Sequence, residues 1–447
     1  MPKKLKNFVL LLASVVFYFY GEQLYTLLML LNVLLAYIHG LLIDKFRGKT
    51  LSKVFLISSV VISLATLGLF KYSDFFIQTV NSVLKTDIAY LGLILPIGIS
   101  FYTFQTLSYT IDVYRGEAEV QKNFISLATY VMLFPQLIAG PIVRYTTVEQ
   151  ELKTRKHTFE MFSYGAFRFA VGLAKKVLIA NQLGELCDIF RASTDKSVIF
   201  YWIYAIAFSL HLYFDFSGYS DMAIGLGKIF GFNFLENFNY PFISKSATEF
   251  WRRWHMSLGS WFRDYLYIPL GGNRVSKSRW LFNIFTVWFL TGLWHGANWN
   301  FVIWGLYFGV LLIIEKLFLS KWLEKLPKAV SHLYLIVIIA ISFVIFNANG
   351  LSQAISDIGG MFGAGGVPFW SNETGYYISS YAVLLIAGIV CSTPLIKTIA
   401  MKLSTSQSTA MKTVTTIAQP VLMVLMLFIV TAYLVDGSFN PFLYFRF

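Results

Sequence analysis

Charged residues are scarce in this chain of 447 amino acids. Asp, Glu, Lys and Arg make up 13% of it, whereas hydrophobic residues make up 57% and aromatic residues 18%. Soluble globular domains carry about 25% charged residues. Stretches such as Phe55–Phe70 and Leu333–Phe346 contain no charge at all and approach the ~20 residues that a bilayer-crossing helix needs. The composition excludes an ordinary soluble enzyme and predicts an all-α, polytopic membrane helix bundle.

Cysteine is almost absent, and so are several common catalytic motifs. Cys187 and Cys391 belong to no C-x-x-C pair, which leaves a structural zinc site or a redox motif unsupported; we expect no metal. The chain contains no G-x-S-x-G, no H-E-x-x-H and no G-x-x-x-x-G-K-[ST] sequence. The motifs typical of serine hydrolases, zinc proteases and ATP-driven pumps are therefore missing, and the sequence does not favour these functions.

The charges that are present are mostly positive. There are 36 Lys and Arg against 23 Asp and Glu, a net charge of +13. The excess lies in short segments such as Pro2–Lys6, Asp44–Lys53 and Arg115–Lys122, which predicts that these face the cytoplasm. Because no long basic stripe occurs elsewhere, we expect no nucleic-acid binding. The N-terminal apolar stretch lacks a small-x-small cleavage pattern, so we expect it to remain as the first helix.

Apolar runs and basic loops alternate along the chain. They predict membrane spans near residues 7–20, 24–43, 54–70, 90–113, 162–182, 198–230, 331–347, 377–393 and 418–435. No internal repeat and no low-complexity linker interrupts them. We therefore expect a single domain over residues 1–447.

Two apolar segments do not fit simple alternation. Phe124–Val143 contains Pro135 and Pro141 and has basic flanks on both sides, which is typical of a re-entrant element buried among other helices. Trp280–Ile314 would reach roughly 50 Å as one helix, more than a hydrocarbon core of about 30 Å. Its two basic flanks predict a hairpin with a bend near Gly292–Asn300.

The longest polar segment, Ser244–Arg279, carries aromatic residues at helical spacing. Trp251, Trp254, Leu258 and Trp261 recur at steps of three and four residues. This spacing predicts an amphipathic helix in the cytoplasmic interface. A Glu249–Arg253 pair, four residues apart, would support it.

A few ionisable residues lie inside or beside apolar runs. His295 would lie deep in the membrane, where such side chains are costly and usually functional; a structural histidine in a packed bundle is the alternative. Asp215 and Asp221 lie inside an apolar span, and His211 precedes Asp215 by one turn. Such groups could relay protons, or they could lock the bundle by hydrogen bonds.

His255 ends the sequence Phe250–His255, which also holds two arginines. Arg252 and Arg253 suit phosphate groups, and the ring of Trp251 suits an adenine or an acyl chain. Anchoring to lipid headgroups explains the same residues equally well.

At this point the sequence resembles the membrane-bound O-acyltransferases, in particular their alginate O-acetylase branch. The matching blocks cover about residues 90–305 in order. They are 95–105, 111–116, 134–145, 215–221, 250–255, 261–274 and 292–299.

The resemblance implies a bundle of about 11 helices in which a cytoplasmic tunnel meets an outer funnel. It makes His295 and His255 the catalytic candidates, with Trp251, Arg252, Arg253, Asp264 and Asn298 as candidates for donor or substrate binding. It implies an acyl thioester such as acetyl-CoA as donor substrate, with no bound cofactor. It also implies an exported polysaccharide as final acceptor, an extracytoplasmic SGNH-type partner, and a multi-pass location in the bacterial cell membrane.

Two alternatives stay open. A relative that transfers D-alanine toward teichoic acid shares several blocks, although the 267–274 block resembles the polysaccharide acetylases. A transporter or flippase would use His295, Asp215 and Asp221 as a coupling pathway, but the inverted repeats that favour such a fold are not evident.

Overall fold

The protein is helical wherever its structure is described. A computed structural model describes residues 3–138, 140–405 and 408–437, and these residues contain no strand, which confirms the all-α class. The chain divides into two compact units, residues 1–166 with 223–235 and residues 167–222 with 236–447.

Eight helices within these described ranges are long and apolar enough to cross a membrane. They are Leu5–Glu22, Tyr25–Lys45, Thr50–Leu84, Val198–Ile229, Trp299–Leu323, Lys328–Asn347, Asn372–Cys391 and Thr416–Asp436. The multi-pass architecture is therefore confirmed. The count of about 11 spanning helices stays a prediction.

Among its described residues, the first unit contains seven helices in full. They are α1 (Lys3–Glu22), α2 (Tyr25–Lys45), α3 (Thr50–Leu84), α4 (Ile99–Arg115), α5 (Phe124–Met132), α6 (Phe134–Leu137) and α7 (Tyr145–Lys153). Helix α2 packs against α3, α4 and α5. Met29, Val33, Tyr102 and Leu127 are fully buried in the resulting core.

The predicted span over residues 90–113 is wrong in its first part. Helix α4 begins only at Ile99. The Asp74 carboxylate accepts hydrogen bonds from the backbone N–H groups of Leu91 (2.8 Å) and Gly92 (3.1 Å). These N–H groups are thereby satisfied by a side chain rather than by a preceding helical turn, so the segment stays non-helical.

The interrupted helix predicted over Phe124–Val143 is confirmed as two short pieces. The chain breaks at Leu133, and Pro135 lies in the first turn of α6. With nine residues, α5 is about 14 Å long and too short to cross a bilayer. Residues 127–132 are buried, as expected for an element enclosed by other helices; its re-entrant placement stays a prediction.

The second unit holds the remaining helices, although α8 and α10 each contribute one end to the first. They are α8 (Phe159–Ala174), α9 (Asn181–Ala192), α10 (Val198–Ile229), α11 (Ala247–Trp251), α12 (Met256–Phe262), α13 (Lys277–His295), α14 (Trp299–Ile314), α15 (Ser320–Leu323), α16 (Lys328–Asn347), α17 (Leu351–Met361), α18 (Asn372–Cys391), α19 (Leu395–Ser404) and α20 (Thr409–Asp436). Its aromatic core includes Phe208, Phe250, Trp304 and Phe343. All the residues of the candidate site lie in this unit.

Candidate active site

The predicted hairpin over Trp280–Ile314 is confirmed. Helices α13 and α14 are separated by the bend Gly296–Asn298 and pack closely against each other. A Cβ atom on Gly305 would lie 2.2 Å from the Trp288 carbonyl oxygen, so only glycine permits this approach. His295 is the last residue of α13 and therefore lies at the bend. Its depth in the bilayer stays a prediction.

His295 is enclosed by aromatic rings. Its side chain is 4% exposed. The imidazole makes edge contacts with Trp294, Trp304 and Phe346, at centroid distances of 5.0, 4.9 and 5.3 Å. The ring is therefore packed in an apolar, aromatic environment.

Asn300 holds part of this aromatic shell in place. Its amide nitrogen donates to the carbonyls of Phe346 (3.3 Å) and Ala348 (2.9 Å), where α16 ends. One buried side chain therefore ties the start of α14 to the helix end that carries Phe346.

The single amphipathic helix predicted from the spacing of Trp251, Trp254, Leu258 and Trp261 is wrong. Helix α11 ends at Trp251 and α12 begins at Met256, and His255 between them has a φ of 45° in the left-handed region. Trp254 and Leu258 are buried in the protein rather than facing a membrane surface. The apolar spacing in the sequence reflects burial of side chains before and after a sharp turn, not one face of a single helix.

This turn is fixed by the loop that follows α10. The backbone N–H of Met256 donates to the Asn237 carbonyl, and the N–H of Asn239 donates to the Arg253 carbonyl, both at 2.9 Å. The Asn237 side chain is fully buried, and its oxygen lies 3.2 Å from His255 Nδ1.

The His255 ring is also held by aromatic neighbours. It meets Phe216 edge-on at 4.7 Å and lies 6.0 Å from Trp294. Burial lowers the pKa of His255 to about 3, so the imidazole is neutral at physiological pH. Both candidate histidines thus pack against Trp294 from different elements.

The start of α11 is anchored by Glu315. This fully buried carboxylate accepts from the backbone N–H groups of Ala247 (2.6 Å) and Thr248 (2.8 Å), from the Thr248 hydroxyl (2.6 Å) and from the Tyr334 hydroxyl (3.2 Å). It satisfies the first N–H groups of a helix and ties that helix to the end of α14. Sequence reasoning missed Glu315; the available signal was a single acid at the end of an apolar run.

A cavity of about 920 Å³ lies beside this segment, at the upper end of the range of roughly 300–1,000 Å³ for small-molecule sites. Its aromatic and polar lining includes His255, Trp251, Trp280, Trp288, Tyr267 and Thr291. Among the described residues, its lining holds three cations, Arg252, Arg263 and Lys316, and no Asp or Glu. The cavity therefore combines stacking surfaces with an excess of positive charge.

Two of these cations were not predicted. Lys316 Nζ donates to the Asn273 side chain (2.7 Å) and lies 4.5 Å from the centroid of the Trp280 ring. Arg263 is mostly exposed and forms an ion pair with Asp264 at 2.6 Å. Asp264, a predicted binding residue, is thus beside the cavity as a partner of Arg263 and is not one of its lining residues.

The remaining predicted residues separate into those that reach the cavity and those that do not. Trp251, Arg252 and His255 line it. Arg253 instead pairs with Glu249 at 2.9 Å, which confirms that predicted pair.

The other two predicted residues lie further along the hairpin. Asn298 is exposed and begins α14 without a side-chain cap. His295 does not line this cavity either; it lies one helical turn after Thr291, which does.

The carboxylates inside α10 are engaged with cations of the preceding elements. Asp215 is fully buried and lies 2.5 Å from Lys176, and Asp221 contacts Arg168 (2.8 Å) and Lys175 (2.6 Å). His211 Nδ1 donates to the Ala180 carbonyl at 2.6 Å. These ion pairs tie α10 to α8 and to the π-helical segment Lys175–Ala180 that follows it, as the bundle-locking interpretation expects.

Comparison with known proteins decides the family. Residues 14–352 match the sequence model of MBOAT, the membrane-bound O-acyltransferase family. The chain belongs to the membrane-bound O-acyltransferases. As a member it is a multi-pass membrane enzyme of the O-acyltransferase class, and the histidines described above lie within the matched residues.

Relatives of this O-acyltransferase are named for alginate, peptidoglycan or teichoic acid. It is 41% identical over 369 residues to a "probable alginate O-acetylase" of Azotobacter vinelandii, covering 81% of this chain and 74% of the relative. It is 35% identical to a peptidoglycan O-acetyltransferase of Helicobacter pylori, covering 80% and 74%. A teichoic acid D-alanyltransferase of Bacillus subtilis is 32% identical, over 57% of this chain and 68% of the relative.

Proposed function

We propose that this enzyme takes an acetyl group from a cytoplasmic thioester, acetyl-CoA, and passes it across the bacterial plasma membrane for O-acetylation of an exported polysaccharide. The observation that carries the proposal is the cavity with three cations, an aromatic lining and His255. The relatives that cover the larger share of this chain are named for acetyl transfer to alginate or peptidoglycan.

The cavity suits the two chemical ends of such a donor. Phosphate groups would bind at Arg252, Arg263 and Lys316, since charge-assisted hydrogen bonds to phosphate are the strong ones. The rings of Trp251 and Trp280 offer faces for the adenine. The acyl end would then extend toward His255 and Thr291.

His295 is the proposed general base. Its neutral imidazole would accept the proton of an acceptor hydroxyl while the oxygen attacks the thioester carbonyl. The C–S bond then breaks, and the proton passes to the leaving thiolate, so that CoA and an O-acetyl ester are the products. The rings around His295 would exclude water, which otherwise competes as acceptor.

The acceptor is on the far side of the membrane. An extracytoplasmic SGNH-type protein would receive the acetyl group or act beside this enzyme. The proposal requires no bound cofactor and no metal ion.

The test is His295→Ala in living cells, with His157→Ala as the control because His157 is exposed. Acetyl released from the isolated polysaccharide is measured, together with the amount of protein in the membrane. We expect no acetylation by the His295 variant at normal protein level and wild-type acetylation by the control. Wild-type acetylation by His295→Ala would contradict the assignment.

D-alanyl transfer is the second candidate, favoured by the 32% identity to the teichoic acid enzyme. The two candidates differ in donor. A purified enzyme that turns over acetyl-CoA supports acetyl transfer, whereas one that accepts only a D-alanyl thioester supports the alternative.

A further inference from the structure

Asn237 makes contacts that fix the identity of its side-chain atoms. One of them accepts from the backbone N–H of Ser257 (3.2 Å) and from the Ser257 hydroxyl (2.8 Å). The other donates to the Ser220 hydroxyl at 3.2 Å. Because a backbone N–H can only donate, the atom facing Ser257 is the oxygen, Oδ1.

This assignment determines which ring nitrogen of His255 carries the proton. The same Oδ1 lies 3.2 Å from His255 Nδ1, and an amide oxygen can only accept. Nδ1 must therefore carry the proton. In the neutral ring, Nε2 is then left with an unprotonated lone pair.

The lone pair has no hydrogen-bond partner in the part of the chain that the structure describes. His255 Nε2 is buried and makes no hydrogen bond among the described residues, although His255 lines the cavity. An unsatisfied buried acceptor destabilises the folded protein. The backbone of His255 adds strain, since a non-glycine residue at positive φ is uncommon.

We propose that Asn237 is a positioning residue that holds His255 as the Nδ1–H tautomer, with Nε2 available to accept a hydrogen bond from an N–H or O–H group of the bound substrate. The proposal deepens the proposed function and rests on it, because it concerns the inner lining of the donor cavity. In the resting enzyme His255 is an acceptor and cannot supply a proton to the leaving group.

A spectroscopic test does not depend on activity. The protein is labelled with ¹⁵N-histidine, and the His255 signals are assigned by their loss in His255→Ala. We expect a protonated-type nitrogen at Nδ1 and an unprotonated one at Nε2, with the latter shifting when CoA is added. A proton on Nε2, or on both nitrogens, would overturn the proposal whatever the enzyme's substrate.

A kinetic test separates positioning from folding. Asn237→Leu removes the acceptor oxygen, whereas Asn237→Asp keeps it and serves as the conservative variant. For Asn237→Leu we expect a loss of at least tenfold in kcat, rescue to within a few-fold by Asn237→Asp, and no further loss when Asn237→Leu is added to His255→Ala.

Two results would contradict the proposal. Equal losses for the leucine and aspartate variants would assign Asn237 to packing. So would an additional loss in the His255→Ala background, because a positioning residue has nothing left to position there. If acetyl transfer itself is absent from the wild type while the tautomer is as expected, the proposed function fails and the positioning role of Asn237 stands.

Discussion

Two neighbouring arginines differ in what they can do, although the sequence presents them as a pair. Arg252 is exposed to the cavity, whereas Arg253 is bound to Glu249 and to the Asn239 carbonyl. The structure therefore provides a matched comparison of two identical changes one residue apart.

We predict that Arg252→Ala raises the KM for acetyl-CoA by about 10- to 100-fold, since a hydrogen bond to a charged group is worth about 1.5–3 kcal/mol. Arg253→Ala should raise it less than about threefold, because that side chain does not line the cavity. Steady-state kinetics on both purified variants checks this. An equal increase in KM for both variants would indicate that the two arginines share a role outside the donor site.

At the scale of single residues, the sequence predicted the local cluster and missed its distant partners. Trp251, Arg252 and His255 could be found because they are contiguous and unusual in an apolar chain. Lys316 and Glu315 lie more than 50 residues further along and reach the same region only because α14 folds back against α11. No spacing within the sequence encodes that contact.

At the scale of elements, the five-residue α11 has little stability of its own and depends on Glu315. Isolated helices shorter than about 12 residues are marginal in water. Three hydrogen bonds from residues 247 and 248 to one carboxylate therefore help to fix the position of Trp251, at the end of this helix.

We predict that Glu315→Gln weakens CoA binding about tenfold or more, because an amide offers one acceptor oxygen in place of two and points its own N–H groups at donors. Glu324→Gln, at an exposed glutamate nine residues on, is the control and should bind normally. Calorimetry with CoA on both variants measures the effect. Wild-type affinity in Glu315→Gln would mean that α11 holds its place without the carboxylate.

Two elements illustrate where sequence patterns succeed and fail. The α13–α14 hairpin was predictable because its length and like-charged flanks are incompatible with one crossing. The break in the helix predicted over residues 251–261 was not, because hydrophobic periodicity carries no information on the φ of His255. Tertiary hydrogen bonds to Asn237 and Asn239 override the helical pattern there.

At the scale of the whole molecule, the charge pattern makes a prediction about sidedness. In a variant without Cys187 and Cys391, single cysteines at Lys277 and Lys325 should react with an impermeant thiol reagent only from the cytoplasmic side. Both positions are exposed and flank the hairpin. A cysteine at the exposed Lys85, after α3, should react from outside. Labelling of Lys277 and Lys325 from opposite sides would make the α13–α14 segment a net crossing.

The membrane character, helical class and family follow from the sequence because composition and the order of motifs can be read directly from the linear chain. The relation of His295 to the cavity does not. The sequence predicted both histidines as catalytic candidates, yet only His255 of the two lines the cavity, whereas His295 packs against the ring of Trp304. The separation of His295 from the cavity lining is thus a property of packing that only the folded chain reveals.

The most direct measurement follows labelled acetyl-CoA in membranes that contain the native acceptor and either the wild type or His295→Ala. The account predicts that the wild type releases CoA and transfers label to the acceptor. The His295 variant should bind CoA with unchanged affinity and release none above background, a loss of at least the ~10²-fold expected for a general base. Thioester turnover by His295→Ala at the wild-type rate, or transport of a substrate by the wild type without any turnover, would contradict it.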